Sequence, residues 1–111
     1  MAIKIIISDT VGIKVKGTIN DAAGTAQPFD FSLTCRRLHA DEIQDKLQSE
    51  SDASIADFLA TLITGWSGVR DADDKPMPYS AEAFAQLCRI PGVAGMAFRT
   101  YLSEVGAKEK N

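Results

Sequence analysis

The sequence predicts an α+β chain, with an N-terminal antiparallel β-hairpin or small sheet followed by about four helices. Two changes of rhythm carry that prediction. Over residues 11–19 and 29–36 apolar side chains alternate with polar ones, and from His39 onward they recur at every third or fourth position. The β part reads as 1–38, the α part as 39–105, and 106–111 as a flexible polar tail, all within one domain over 1–111.

Each element has its own signal. In VGIKVKGTI, residues 11–19, Val11, Ile13, Val15 and Ile19 share one parity, opposite Lys14, Lys16 and Thr18. In the next run, Phe29, Phe31, Leu33 and Cys35 alternate with Asp30, Ser32, Thr34 and Arg36. The turn formers of NDAAGTAQP, residues 20–28, lie between and predict a hairpin with an extended loop. Pro28, with no N–H to donate, is expected at the second strand's first position. Ile3 to Ile7 reads as a third strand, although Ile5-Ile6-Ile7 lacks a polar parity.

The helical part begins with Ile43 and Leu47, four apart on a short helix over about 40–48. Ser49-Glu50-Ser51-Asp52 interrupts it and offers N-cap side chains for a second helix. There, Ile55, Phe58, Leu59, Leu62, Ile63 and Trp66 follow the i, i+3, i+4, i+7, i+8, i+11 spacing of one broad stripe, which Gly65 and Gly68 end. Phe58, Leu62 and Trp66 are expected in the core. Ser80 is placed to cap a third helix with Phe84, Leu87 and Cys88 on its apolar face. Pro91 suits the first turn of a fourth, whose arc is Val93, Ala94, Ala97, Phe98, Tyr101, Leu102 and Val105, with Met96 outside it.

Composition narrows function mostly by exclusion. Hydrophobic residues make up 45% and charged residues 24%, which is enough apolar material for a core and argues against disorder. The net charge of -3 is unevenly spread: residues 1–38 carry five Lys/Arg and three Asp/Glu, 39–74 two and nine, and 75–111 five and three. No basic patch forms, and the acidic middle would repel phosphate, so no nucleic-acid partner is expected. MAIKIIIS lacks a signal-peptide cleavage site, and no stretch approaches the roughly 18 apolar residues of a membrane span. A cytoplasmic protein without a membrane partner is expected.

No catalytic, metal or cofactor residue is expected either. DADD at 71–74 has the opening of a calcium loop, but the sixth position falls on Pro76, where the motif needs glycine. It reads as an acidic solvated turn. Cys35, Cys88 and His39 are too few for a structural zinc site, and Cys35 sits on the buried parity. His39 reads as a surface residue at a strand-to-helix junction rather than as a base for a thiol.

The stretch Ile63-Thr64-Gly65-Trp66-Ser67-Gly68-Val69, the following Asp71-Ala72-Asp73-Asp74-Lys75-Pro76-Met77-Pro78-Tyr79-Ser80 and the ending Lys108-Glu109-Lys110-Asn111 resemble the tail assembly chaperones of long-tailed phages. The turn-rich hairpin, the Phe-rich strand and Arg36-Arg37-Leu38 are similar as well. That family's pattern has glycine after the acidic turn, where this chain has Asp74. The resemblance implies a non-catalytic protein of the host cytoplasm, absent from the mature virion. It would keep the tape measure protein soluble and help recruit tail tube subunits. In many members a longer product also arises by ribosomal frameshifting.

The residues themselves agree with a binding role. Trp66 is either a core closer or a partner contact. Met77, braced by Pro76 and Pro78, is either a loop plug or a contact held at low ordering cost. Trp66, Met77, Tyr79, Met96 and Phe98 are therefore the expected partner-binding residues, bordering an apolar surface for tape measure helices or neighbouring copies. The plainer alternative is that Tyr79 and Phe98 only fill the core and that Met96 is an isolated exposed residue. Two other classes compete: a structural virion component, such as a tail tube or head–tail joining protein, and a small enzyme or metal protein.

Overall fold

The computed structural model describes residues 2–5, 8–49 and 55–108, with the side chains of 47–49 left aside. Strands β1 (Thr10–Asn20) and β2 (Ala26–Arg36) form the expected antiparallel hairpin, paired from Thr10↔Arg36 to Asn20↔Ala26. Its tip is organised by Asp21. The carboxylate oxygen Oδ1 accepts from the backbone N–H groups of Ala23 (2.9 Å) and Thr25 (3.0 Å). These bonds stabilise the charged form and lower the Asp21 pKa, the bond from Thr25 most. Alternation places Val11, Ile13 and Val15 with Phe31, Leu33 and Cys35 on one buried face. Lys14, Lys16 and Thr34 face out.

Helix α1 (Ala40–Ser49) follows, then α2 (Ile55–Ala60). Ile43 on α1 is half-buried, whereas the side chain of Leu47 lies outside the described residues. The Glu42 carboxylate accepts from the His39 backbone N–H at 3.1 Å, half of a capping box that starts α1. The proposed caps at Ser49–Asp52 belong to a stretch whose residues 50–54 lie outside the described ones.

The largest departure from expectation comes next. The stripe through Trp66 is not one helix: α2 stops at Ala60, and Ile63–Ser67 forms strand β3. The Thr61 hydroxyl and N–H both return to the Phe58 carbonyl, and the Leu62 N–H to Leu59, which tightens and closes the last turn. The Leu62 carbonyl then accepts from the Arg36 N–H at 2.8 Å, which begins the pairing with β2. β3 runs antiparallel to β2, giving the order β1-β2-β3. The register shifts between Thr34 and Cys35: Cys35 pairs with Ile63 but Thr34 with Gly65, so Thr64 is the extra residue of a bulge. That bulge lets Ile63 and Trp66, three apart, both turn to the core side.

β3 also takes the place expected for Ile3–Ile7. Residues 2–5 form no strand, Ile3 and Ile5 are 86% and 99% exposed, and Ile6 and Ile7 lie outside the described residues. β2 has only two sides, and both are occupied where β3 pairs. Pro28 is the third residue of β2 rather than its first, in the part of the strand that β3 does not reach.

Helix α3 (Ala81–Leu87) starts as expected, with the Ser80 hydroxyl accepting from the Ala83 N–H at 3.0 Å. Helix α4 (Val93–Val105) is capped by Gly92 at φ 91°, so Pro91 precedes the cap and is not in the first turn. Val93, Ala97, Tyr101 and Val105 form its buried stripe, four residues apart, while Leu102 is 36% exposed. The helices cover one face of the sheet, with α4 on β1 and α2 against α3 and α4. Phe58 and Leu62 are core residues, and Trp66 packs at the core's margin. Residues 106–108 follow the last helix as an exposed stretch, and 109–111 lie outside the described residues.

One buried hydroxyl joins sheet to helix. The Tyr101 O–H donates to the Arg36 carbonyl at 2.8 Å and accepts from the Leu38 N–H at 3.1 Å. Beside it, the Arg37 guanidinium donates to the Ser8 carbonyl and to the Val105 carbonyl at the C-terminus of α4. Tyr101→Phe leaves a buried N–H and a part-buried carbonyl without their partner. It should cost about 1–3 kcal/mol in urea unfolding.

Alkaline pH tests the same core. Burial pushes the Cys35 thiol up to about 11 from its ordinary 9.0, and it raises Cys88 and Tyr101 as well. The unfolded chain then releases these protons first. Stability should be intact below pH 9 and fall as pH rises toward 11, the value for folded Cys35. Cys35→Ala should flatten that decline in urea titrations, relative to its own stability at neutral pH.

Candidate docking site

β3 continues into a short arm that leaves the sheet and returns. The Met77 N–H donates to the Val69 carbonyl at 2.9 Å, and Arg70 bridges Pro76 in antiparallel fashion. The acidic turn closes the arm's tip. Asp71 Oδ1 accepts from the N–H groups of Asp73 (2.9 Å) and Lys75 (3.0 Å), while the Asp74 N–H donates to the Asp71 carbonyl at 3.0 Å. This repeats the hairpin tip at Asp21–Thr25 bond for bond. The fourth position is Gly24 at φ 83° in one turn and Asp74 at φ 61° in the other. The acidic run is thus a self-bonded turn, and the glycine position of the resembling family is left-handed here.

Trp66 holds the arm's base. Its indole N–H donates to the Met77 carbonyl at 2.7 Å, and its ring meets Tyr79 edge to face at 5.1 Å between centroids. Three of the five expected contact residues therefore meet, although Trp66 does so from a strand. The other two are held elsewhere. Met96 is half-buried rather than exposed, with its sulfur beside Gly17. A Cβ at Gly17 would come within 2.8 Å of the Phe29 ring and 3.1 Å of the Met96 sulfur, so glycine makes room for both. Phe98 packs edge to face on Phe58 at 5.7 Å. The proposed border of Met77, Tyr79, Met96 and Phe98 thus divides into separate packing neighbourhoods.

Two recesses flank the arm. On one side is a cleft of about 210 Å³ at the end of the sheet, lined by Ile19, Phe29, Phe31, Val69, Leu87 and Ile90, with Asp30 and Arg70 on its wall. On the other side is a groove of about 320 Å³ between the arm and α3, where Met77 faces Ala83, Gln86 and Leu87. Val69, Arg70 and Leu87 belong to both, so the arm acts as a partition. Of the five expected residues, only Met77 lines either recess. The sequence reading left out Val69, Leu87 and Ile90, which line these recesses. Val69 and Ile90 carry a signal in hindsight, since both are aliphatic residues outside the helices and strands that belong to no helical or strand period.

Among the described residues, no three His, Cys, Asp or Glu side chains gather as metal ligands. Cys35 is fully buried with its thiol held protonated, and His39 is exposed. Among the same residues, no helix is long and apolar enough to cross a membrane.

The paired turns make a direct test. A left-handed φ strains any side chain but glycine, although aspartate tolerates it better than most. Asp74→Gly removes that strain and loses an exposed ion pair with Arg70. It should stabilise the protein by about 0.5–1 kcal/mol in urea unfolding. Asp71→Ala, which deprives two N–H groups of their acceptor, should move the midpoint the other way.

No curated protein and no solved structure matches this chain. A family model described as YdaY prophage protein matches residues 30–100, from the middle of β2 through most of α4. That span holds β3, the arm, α3 and the walls of both recesses apart from Ile19 and Phe29. The match identifies a phage-derived protein: the chain belongs to the YdaY prophage protein family.

Proposed function

We propose that this phage protein is a tail assembly chaperone. It binds and solubilises the tape measure protein, helps recruit tail tube subunits to it, and acts in the host cytoplasm without catalysing a reaction or remaining in the virion. The observation that carries this reading is the groove between the arm and α3, where Met77 stands opposite Ala83 and Leu87. Its arm side lies within the stretch of tryptophan, glycine and proline positions that resembles the chaperones of long-tailed phages.

The physics supports such a role. A long helical polypeptide with apolar stripes aggregates unless the stripes are covered. A shallow groove with a flexible, polarizable methionine accepts many unequal helical segments. Release to the tail tube requires weak binding per copy, with strength coming from many copies along one chain. The Trp66 bond to the Met77 carbonyl fixes the arm without using the methionine side chain, which leaves the thioether for the partner.

Co-expression with the tape measure protein of the same prophage tests the proposal. The expected result is a tape measure protein that stays in the soluble fraction and is pulled down with this chain. Met77→Asp should weaken that capture by about tenfold or more at an unchanged unfolding midpoint, because it puts a charge into a desolvated contact. A tape measure protein that precipitates equally with and without this chain overturns the reading. Finding the chain in purified particles by mass spectrometry would favour a tail tube or head–tail joining component instead.

A further inference from the structure

We propose that the cleft at the end of the sheet receives the N-terminal isoleucine segment of a second copy of this chain, so that copies join head to tail. Two unpartnered apolar features of the same molecule motivate this. One is the segment Ile3-Lys4-Ile5, whose isoleucines are 86% and 99% exposed. The other is the cleft of Ile19, Phe29, Phe31, Val69, Leu87 and Ile90, whose rim residues Ile19 and Ile90 are 45% and 36% exposed. In an extended segment Ile3 and Ile5 point the same way and Lys4 the other. Such a segment can bury both isoleucines in an apolar cleft and keep its lysine in water.

Reach decides whose cleft is filled. The chain is tied at Ser8 and Asp9, whose carbonyls accept from Arg37. The cleft lies toward the opposite end of the hairpin. Along β2, Phe31 and Phe29 are six and eight residues from Arg37, or about 20 and about 26 Å at strand spacing. Ile5 and Ile3 are three and five residues from Ser8, and so reach at most about 10 and about 17 Å. Neither backbone position extends as far as Phe31 or Phe29 of its own chain, so the segment cannot lie along that chain's cleft. A second copy has no such limit. Because segment and cleft are different surfaces, the contact is heterologous, and each copy keeps a free segment at one end and a free cleft at the other. The cleft and the methionine groove lie on opposite sides of the arm, so linked copies would keep their grooves open. The inference needs no tape measure protein and stands apart from the chaperone reading.

Sedimentation of the purified protein tests it through complementation. The wild-type chain should show a mass that rises with concentration past that of a dimer. Two variants each lose one half of the contact: the double substitution Ile3→Asp with Ile5→Asp loses the segment, and Ile90→Asp loses the cleft. Each alone should associate about tenfold more weakly or less, since a charge enters a desolvated contact. Mixed in equal amounts, they should form one-to-one dimers and stop there, because the mixture retains one working segment and one working cleft per pair. Ile19→Asp is a second cleft variant should Ile90→Asp lower the unfolding midpoint. A wild-type chain that stays monomeric overturns the proposal. So do single variants that associate like the wild type, and so does a mixture no larger than its parts, the result a symmetric interface would give.

Discussion

The hydroxyl of Tyr101 is the constraint on which the rest of the structure depends. It is fully buried, yet both of its hydrogen-bonding roles are filled, by the Arg36 carbonyl and the Leu38 N–H. Those two backbone groups lie where β2 ends and the chain turns toward α1, so the ladder cannot use them further. Supplying their partners from α4 fixes the last helix across the end of the sheet. Arg37, between them, ties the same helix's C-terminus to the entry of β1. With α4 fixed, Ala97 and Val93 cover the sheet, Met96 fills the space left by Gly17, and Phe98 meets Phe58. The position of α2, and with it the start of β3, follows from that contact.

The hairpin was legible in the sequence, apart from the place of Pro28, because its two strands obey a single rule, alternation over a buried face. α3 was legible because Ser80 has the right chemistry one residue before it begins. The stretch from Ile55 to Trp66 was not, and the reason is particular. A bulge at Thr64 adds one residue to β3, so two core positions stand three apart, which is a helical spacing. Together with the true helical positions Ile55, Phe58 and Leu59, they produce a continuous stripe that no single helix makes. Thr61, the β-branched Ile63-Thr64 pair and Gly65 oppose helix there, but locally each is a weak signal. What decides the matter is the pairing with β2, a contact about thirty residues away in sequence.

The candidate site was legible in part for a related reason. Trp66, Met77 and Tyr79 were identifiable as a group because they sit close in sequence around a proline brace, and the arm brings them together. Met96 and Phe98 were drawn into the same surface by helical geometry alone. Their true partners, Gly17 with Phe29 and then Phe58, come from other elements. The cleft could not be read at all from local patterns, because its walls come from both strands of the hairpin, the arm and the end of α3. Recesses of that kind belong to the topology rather than to any one segment.

Trp66 gives the arm an optical signature. It is the chain's single tryptophan, its indole N–H is bonded to a carbonyl of the arm, and a tyrosine ring lies against it. Excited at long wavelength, the molecule emits from this one place. Emission therefore depends on whether the arm is seated, and energy passed from Tyr79 depends on the same geometry. Lifting the arm would expose the indole to water and red-shift its emission while the strands and α4 stayed folded. The protein thus carries, without any added dye, a reporter that distinguishes local opening of the partition between its two recesses from loss of the fold.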